Sequence, residues 1–189
     1  MSLRQRVDRT RITVFLQRLG ERFRHPARVY LVGGATMVFA ALRPQTLDIA
    51  VVLEVSADAH SDLIRAIRKL KDELSVNVEE ASPGDFIPLP AGYASRHEYV
   101  GRFGQIDVWH FDLYSTALSK VERGRVQDIE DMLALFSAGR LAWNTLDACF
   151  QDVLPRMGLA SLRQDPVEFS RNFQTLEALW RERHTGGET

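Results

Sequence analysis

The stretch "VYLVGGATMVFAALRPQTLDIAVVLEV", residues 29–55, constrains the fold more than any other part of the chain. "RVYLV" is short and almost wholly apolar, the pattern of a strand buried on both faces. Gly33-Gly34 then turns the chain into a short apolar helix, "ATMVFAAL", which Arg43-Pro44 closes. "LDIAVVLEV" reads as a second strand, and it carries an acid, Asp48, among Leu, Ile, Ala and Val. An ionised carboxylate in such company is costly unless it is paired, hydrogen-bonded or metal-bound.

The flanking sequence supplies the rest of the layout. Val7, Ile12, Phe15, Leu16, Leu19 and Phe23 recur at helical spacing, and His25-Pro26 ends that first helix. A second amphipathic helix spans about 60–74, and "SVNVEE" alternates as a strand does. Residues 81–97, rich in proline and glycine, predict an ordered loop at best. It is either a lid or acceptor contact through Phe86 and Tyr93, or a plain surface loop. "EYVGRF" and "QIDVWHF" follow as strands joined around Gly104. Asp112 can cap a helix that Gly124 breaks, and Val126 to Phe136 resumes as another. Asn144 and Asp165-Pro166 are start signals for two final helices. The predicted class is α+β, a small mixed β-sheet packed on helices with an α-helical C-terminal third. The α/β core, including a basic first helix, is expected over 1–113, the helical part packed on it over 114–184, and a frayed tail over 185–189.

A chain of 189 residues buries one sizeable core. No apolar run approaches the roughly 20 residues of a membrane helix, so no membrane partner is expected. The N-terminus lacks the apolar block of a secretory signal. Cys149 stands alone, which excludes an intramolecular disulfide and a cysteine-based zinc cluster and fits a reducing cytoplasm; its apolar helical setting predicts a buried, inert thiol. The net charge of −1 argues against a polyanion binder as a whole. Even so, Arg4, Arg6, Arg9, Arg11, Arg18, Arg22, Arg24 and Arg28 crowd the first thirty positions. That run suits a phosphate-rich partner; the plain alternative is a solvated helix face.

Three features carry chemistry. Gly33-Gly34, between a buried strand and a helix, lets a ligand approach the backbone near unpaired N–H groups, which suits a triphosphate; a simple turn is the plain alternative. Asp48 is satisfied structurally by Arg43 or Thr46, or it holds a metal. Asp107 interrupts "QIDVWHF" in the same way. If the two strands are neighbours, both carboxylates share a hard cation such as Mg²⁺ in one cavity. Two such ions would activate an attacking hydroxyl and stabilise a leaving pyrophosphate.

"LVGG", thirteen residues, then "DIAV" resembles the signature of the DNA polymerase β-type nucleotidyltransferase superfamily. Downstream, "DLYSTALSKVERGRVQDIEDMLAL" is similar to the helical segment of small prokaryotic nucleotidyltransferases of the AbiEii and MenT kind. The resemblance spans about residues 28–137. It implies that Gly33 and Gly34 hold the phosphates of an NTP, with Arg43 and Thr46 beside them. Asp48 and Asp107 would hold Mg²⁺, with Asp107 as the third acid of the signature. Lys120 would contact the nucleotide or order the site, Arg123 and Arg125 would reach phosphates, and Asp128 and Asp131 would position Lys120 or an arginine. An exposed helix hairpin with local ion pairs is the plain alternative for that last group. The implied activity is transfer of a nucleoside monophosphate to RNA, tRNA above all, or to protein, as one half of a toxin–antitoxin or phage-defence pair.

Ala50 departs from that signature, which places a second acid there. Residues 48 and 50 of a strand share a face about 7 Å apart, and by the resemblance the ligand missing at 50 is the one that bridges both metals. Glu54 shares the face but lies roughly 20 Å along. Three explanations stand open: a pseudoenzyme that keeps nucleotide binding, an acid supplied from elsewhere, or an Asp→Ala change made to silence a harmful enzyme. A non-catalytic nucleotide- or partner-binding module is the competing function.

Overall fold

The computed structural model describes residues 6–159 and 164–185. The chain divides into two compact units, Met1–Ser82 with Arg96–Phe111, and Pro83–Ser95 with Asp112–Thr189.

The first unit is a five-stranded mixed sheet with helices on one side. Its elements are α1 (Arg9–Arg22), β1 (Ala27–Leu31), α2 (Gly33–Phe39), β2 (Ile49–Val55), α3 (Ala57–Glu73), β3 (Val78–Glu80), β4 (Glu98–Phe103) and β5 (Ile106–His110). The strand order is β3-β2-β1-β5-β4, so the strand that leads into the glycine pair is central. β1 runs antiparallel to β2 and parallel to β5. β2 and β3 are parallel, as the crossover through α3 demands, and β4–β5 is a hairpin.

Alternation along the strands decides which face is dry. Val29, Leu31, Ile49, Val51, Ile106 and Val108 are buried with Ile12, Phe15, Leu16 and Leu19 of α1 and Leu63, Ile67 and Leu70 of α3. Arg28, Ala50, Val52, Glu54, Asp107 and Trp109 occupy the alternate positions.

α1 begins later than its apolar spacing suggests. Asp8 caps it by accepting from the Arg11 N–H at 2.8 Å. Val7, expected inside the helix, instead exchanges two backbone hydrogen bonds with Thr46, at 2.8 and 2.9 Å. α2 also stops short of Arg43-Pro44, because Ala41 takes a φ of 61°.

The second unit is built from α4 (Leu113–Arg123), α5 (Val126–Ser137), α6 (Trp143–Val153) and α7 (Pro166–Thr185). Asp112 caps α4 through the Tyr114 and Ser115 N–H groups and the Ser115 hydroxyl. Asp165 caps α7 through the Val167 and Glu168 N–H groups. Phe150 and Phe173 stack at 3.8 Å, Trp143 and Trp180 at 4.8 Å, and Cys149 is buried and forms no disulfide. Residues 83–95 contain two short 3₁₀ turns; the Arg156 guanidinium donates to the Leu89 carbonyl there, and Asp152 accepts from the Ala91 N–H. The frayed tail expected beyond α7 lies outside the described residues, as does Arg4 of the arginine run. Among the described residues no helix is long and apolar enough to cross a membrane.

Candidate functional site

The glycine pair closes β1 and opens α2. Gly33 has a φ of 55°, a conformation that L side chains avoid, and open space lies where its Cβ would be. Gly34 is needed for a different reason: a Cβ there would collide with the Thr46 side chain, with Arg43 Nη1 3.7 Å away. The turn, Arg43 and Thr46 therefore form one packed corner, and the Val7 bridge holds Thr46 in it.

Asp48 stands one residue before β2 and is half-buried. The β2 ladder begins at the next residue, where the Ile49 N–H donates to the Asn77 carbonyl at 2.8 Å. Ala50 follows in the ladder opposite Glu79 of β3, and its carbonyl accepts from the Val32 N–H at 3.1 Å. The mouth of β2 thus lies beside the glycine turn at the end of β1.

Asp107 does not join Asp48. β1 separates their strands, and Asp107 pairs with Arg28, which pairs with Glu54. Glu54 lies six residues along β2 from Asp48, so the two acids are about 20 Å apart along the strands. Magnesium–oxygen bonds are about 2 Å long, which corrects the expectation of a cation shared by Asp48 and Asp107 and of Asp107 as the third acid. Asp107 instead accepts two hydrogen bonds from Arg102, at 2.8 and 2.9 Å. That hydrogen bonding, ahead of the charge attraction of Arg102 and against partial desolvation, holds its carboxyl below the usual range. Arg28 bonds Glu54 at 3.2 Å, and the Tyr30 hydroxyl donates to Glu54 at 2.6 Å. The result is a row of alternating charge across four strands, an ion-pair ladder rather than a cation site.

In the helical unit, α4 and α5 bring four charges together. The Lys120 ammonium is 2% exposed and donates to Asp128 Oδ1 at 2.9 Å and to Asp131 Oδ2 at 2.7 Å. Arg123 also reaches Asp128 Oδ1, at 2.7 Å, while its guanidinium lies 5.5 Å from the Phe86 ring centroid. Both aspartates are 4% exposed, so the exposed hairpin with local ion pairs does not describe this group. Two positive and two negative side chains balance, which is what permits their burial. Thr116 Oγ1, Arg123 Nε and Asp128 Oδ2 are nonetheless buried with no hydrogen-bond partner among the described residues. Arg125, at the head of α5, is exposed.

Sequence reasoning missed Glu79 and Asn77 beside Asp48 and Ala50. The available signal was the order strand, helix, short strand over 49–80, which makes β3 a parallel neighbour of β2. For Mg²⁺ the donor chemistry at this corner is suitable: oxygen ligands, with one or two carboxylates sufficing when substrate phosphates supply the rest. Among the described residues no three His, Cys, Asp or Glu converge as a complete metal cage.

A central strand closed by a glycine turn, with an acid at the mouth of the next strand, is the arrangement of a nucleotidyltransferase. Residues 11–181 match the family described as "Nucleotidyltransferase of unknown function" (DUF6036), and the chain belongs to that family. Comparisons with curated proteins and with solved structures give no match.

Proposed function

We propose that this chain is a Mg²⁺-dependent nucleotidyltransferase scaffold of the AbiEii/MenT kind. It takes an NTP and directs its nucleoside monophosphate to RNA, tRNA above all, or to a cognate toxin or antitoxin protein in the cytoplasm. The observation that carries the reading is the corner where Gly33-Gly34 meets the Asp48 end of β2, in a chain of a nucleotidyltransferase family.

Gly33 lets the triphosphate come close to the backbone, Gly34 lets Thr46 pack under the turn, and Arg43 beside them offers a positive charge to the phosphates. Asp48 contributes a carboxylate oxygen to the divalent cation. Bound Mg²⁺ supplies charge neutralisation at the phosphates and at the departing pyrophosphate. Lys120 orders its unit by pinning α4 to α5 through Asp128 and Asp131, and Asp128 also holds Arg123. Of the α1 arginines that would meet a phosphate-rich acceptor, Arg11 donates to the Leu74 carbonyl and Arg22 pairs with Glu73.

Ala50 favours a second reading, a non-catalytic module that keeps nucleotide or partner binding without turnover. Ala50→Asp, incubated with labelled NTPs and total tRNA, tests the first. Label transfer in the revertant, to tRNA or to a copurifying protein, is the expected result. A correctly folded revertant that transfers nothing to either acceptor refutes the enzyme reading.

A further inference from the structure

We infer that the groove between the carboxyl end of α1 and α3 seats the phosphate backbone of an RNA acceptor, with Arg24 and Lys69 as its anchoring cations. This rests on the nucleotidyl-transfer reading for the class of acceptor and deepens it by locating the contact.

The groove lies wholly within the first unit and encloses about 630 Å³. Four of its lining side chains are cations, Arg22, Arg24, Arg65 and Lys69, against two carboxylates, Asp62 and Glu73. Phe23 is 2% exposed and packs in the core, which fixes where the exposed Arg24 leaves the end of α1. Arg65 and Lys69 are one turn apart on α3, so they share a wall with Cβ atoms about 5–6 Å apart.

Both carboxylates are already engaged. Glu73 accepts two hydrogen bonds from Arg22, at 2.8 and 2.6 Å, which ties the two walls together. Asp62 pairs with Arg65 at 3.3 Å. Arg24 and Lys69 are exposed, and neither forms a hydrogen bond or an ion pair among the described residues. The excess of four cations over two acids therefore rests on these two side chains, which line the same cavity. Glu73 registers the resulting field. Its carboxyl is held below the ordinary value by hydrogen bonding to Arg22 first, against desolvation, and then by the charges of Arg22, Arg18 and Lys69.

A chain of phosphates is the ligand that suits this arrangement. Guanidinium forks match phosphate oxygens bidentately, and three of the four cations are arginines. The charges are spread along an open groove, as contact with a polyanion requires, rather than gathered at one point. The Arg65–Asp62 pair is exposed on both sides, so exchanging Asp62 for a phosphate oxygen costs little.

The test is binding of fluorescently labelled total tRNA to the full chain across a range of salt concentrations. Arg24→Ser with Lys69→Ser is compared with Arg171→Ser with Arg183→Ser, an equal loss of charge on α7, each checked by circular dichroism. The groove pair should weaken binding roughly tenfold and lower the salt slope by about one to two, while the α7 pair leaves both unchanged. Arg24→Lys with Lys69→Arg should keep the affinity. Unchanged binding in the groove pair, or an equal loss in the α7 pair, overturns the inference. So does displacement of the tRNA by polyglutamate as readily as by unlabelled tRNA, which assigns the groove to an acidic protein. A wild type that binds no tRNA overturns it too, while label transfer by Ala50→Asp to a copurifying protein would leave the enzyme reading standing. Groove-dependent binding without transfer by Ala50→Asp gives the converse result.

Discussion

Replacing Lys120 by methionine should destabilise the helical unit by about 3 kcal/mol. Removing one partner from a buried ion pair typically costs about 3–5 kcal/mol, because the remaining charge stays buried without compensation. Here two carboxylates lose the ammonium, both 4% exposed. Arg123 still reaches Asp128 at 2.7 Å and Gln127 lies 3.4 Å from Asp131, which places the loss at the lower end of that range. For a chain of this size each kcal/mol lowers Tm by about 2–4 °C, so the drop is about 6–12 °C. Urea unfolding followed by tryptophan fluorescence measures it, since Trp143 and Trp180 belong to the same unit and stack there. The triple change of Lys120→Met, Asp128→Asn and Asp131→Asn should recover most of the loss, because no net charge then remains buried in the group beyond that of Arg123. A Lys120→Met loss below about 1 kcal/mol, the value of an exposed pair, would refute a buried, charge-balanced cluster.

Two other perturbations probe the sheet unit. Gly34→Ala should force Thr46 aside, lowering stability by about 1–3 kcal/mol and weakening nucleotide binding; an unchanged urea midpoint would show that the corner is not packed as described. The carboxyl of Asp107 lies below its unfolded value, so its contribution is present above the ordinary carboxylate pKa of about 3.9 and is lost as the pH falls through the lower, folded value. Asp107→Asn should therefore flatten the acid limb of the stability–pH curve while costing under about 1 kcal/mol at pH 7, because solvent screens the exposed Arg102; an unchanged acid limb contradicts the pairing.

Local hydrogen bonding was readable from the chain. Asp112 and Asp165 cap α4 and α7 because the N–H groups they accept lie two or three residues ahead, a distance that needs no tertiary information. The sheet members, their order along the chain and the α+β class follow from apolar period in the same way. Register was not readable. Asp48 and Asp107 share a residue type and an apolar setting, but only the position of β1 between their strands separates them. Val7 fits the apolar spacing of α1, yet its backbone pairs with Thr46, thirty-nine positions on, which no helical period encodes. The resemblance pointed to Asp128 and Asp131 as partners of Lys120, but the burial of all three was not readable, because it depends on how α4 and α5 pack. Asn144 carries a start signal, but α6 begins at Trp143 with Ala142 as its cap, so the asparagine sits inside the first turn.

The Val7–Thr46 bridge gives the amino end of the chain a mechanical part in the site. Thr46 forms the wall against which Gly34 rests, and two backbone hydrogen bonds exchanged between Val7 and Thr46 hold that wall in place. A change that displaces Val7 would reach the glycine turn through Thr46, with no helix or loop between to absorb the strain. Val7 is in that sense a buttress of the glycine corner, fixed from a segment that belongs to no strand of the sheet.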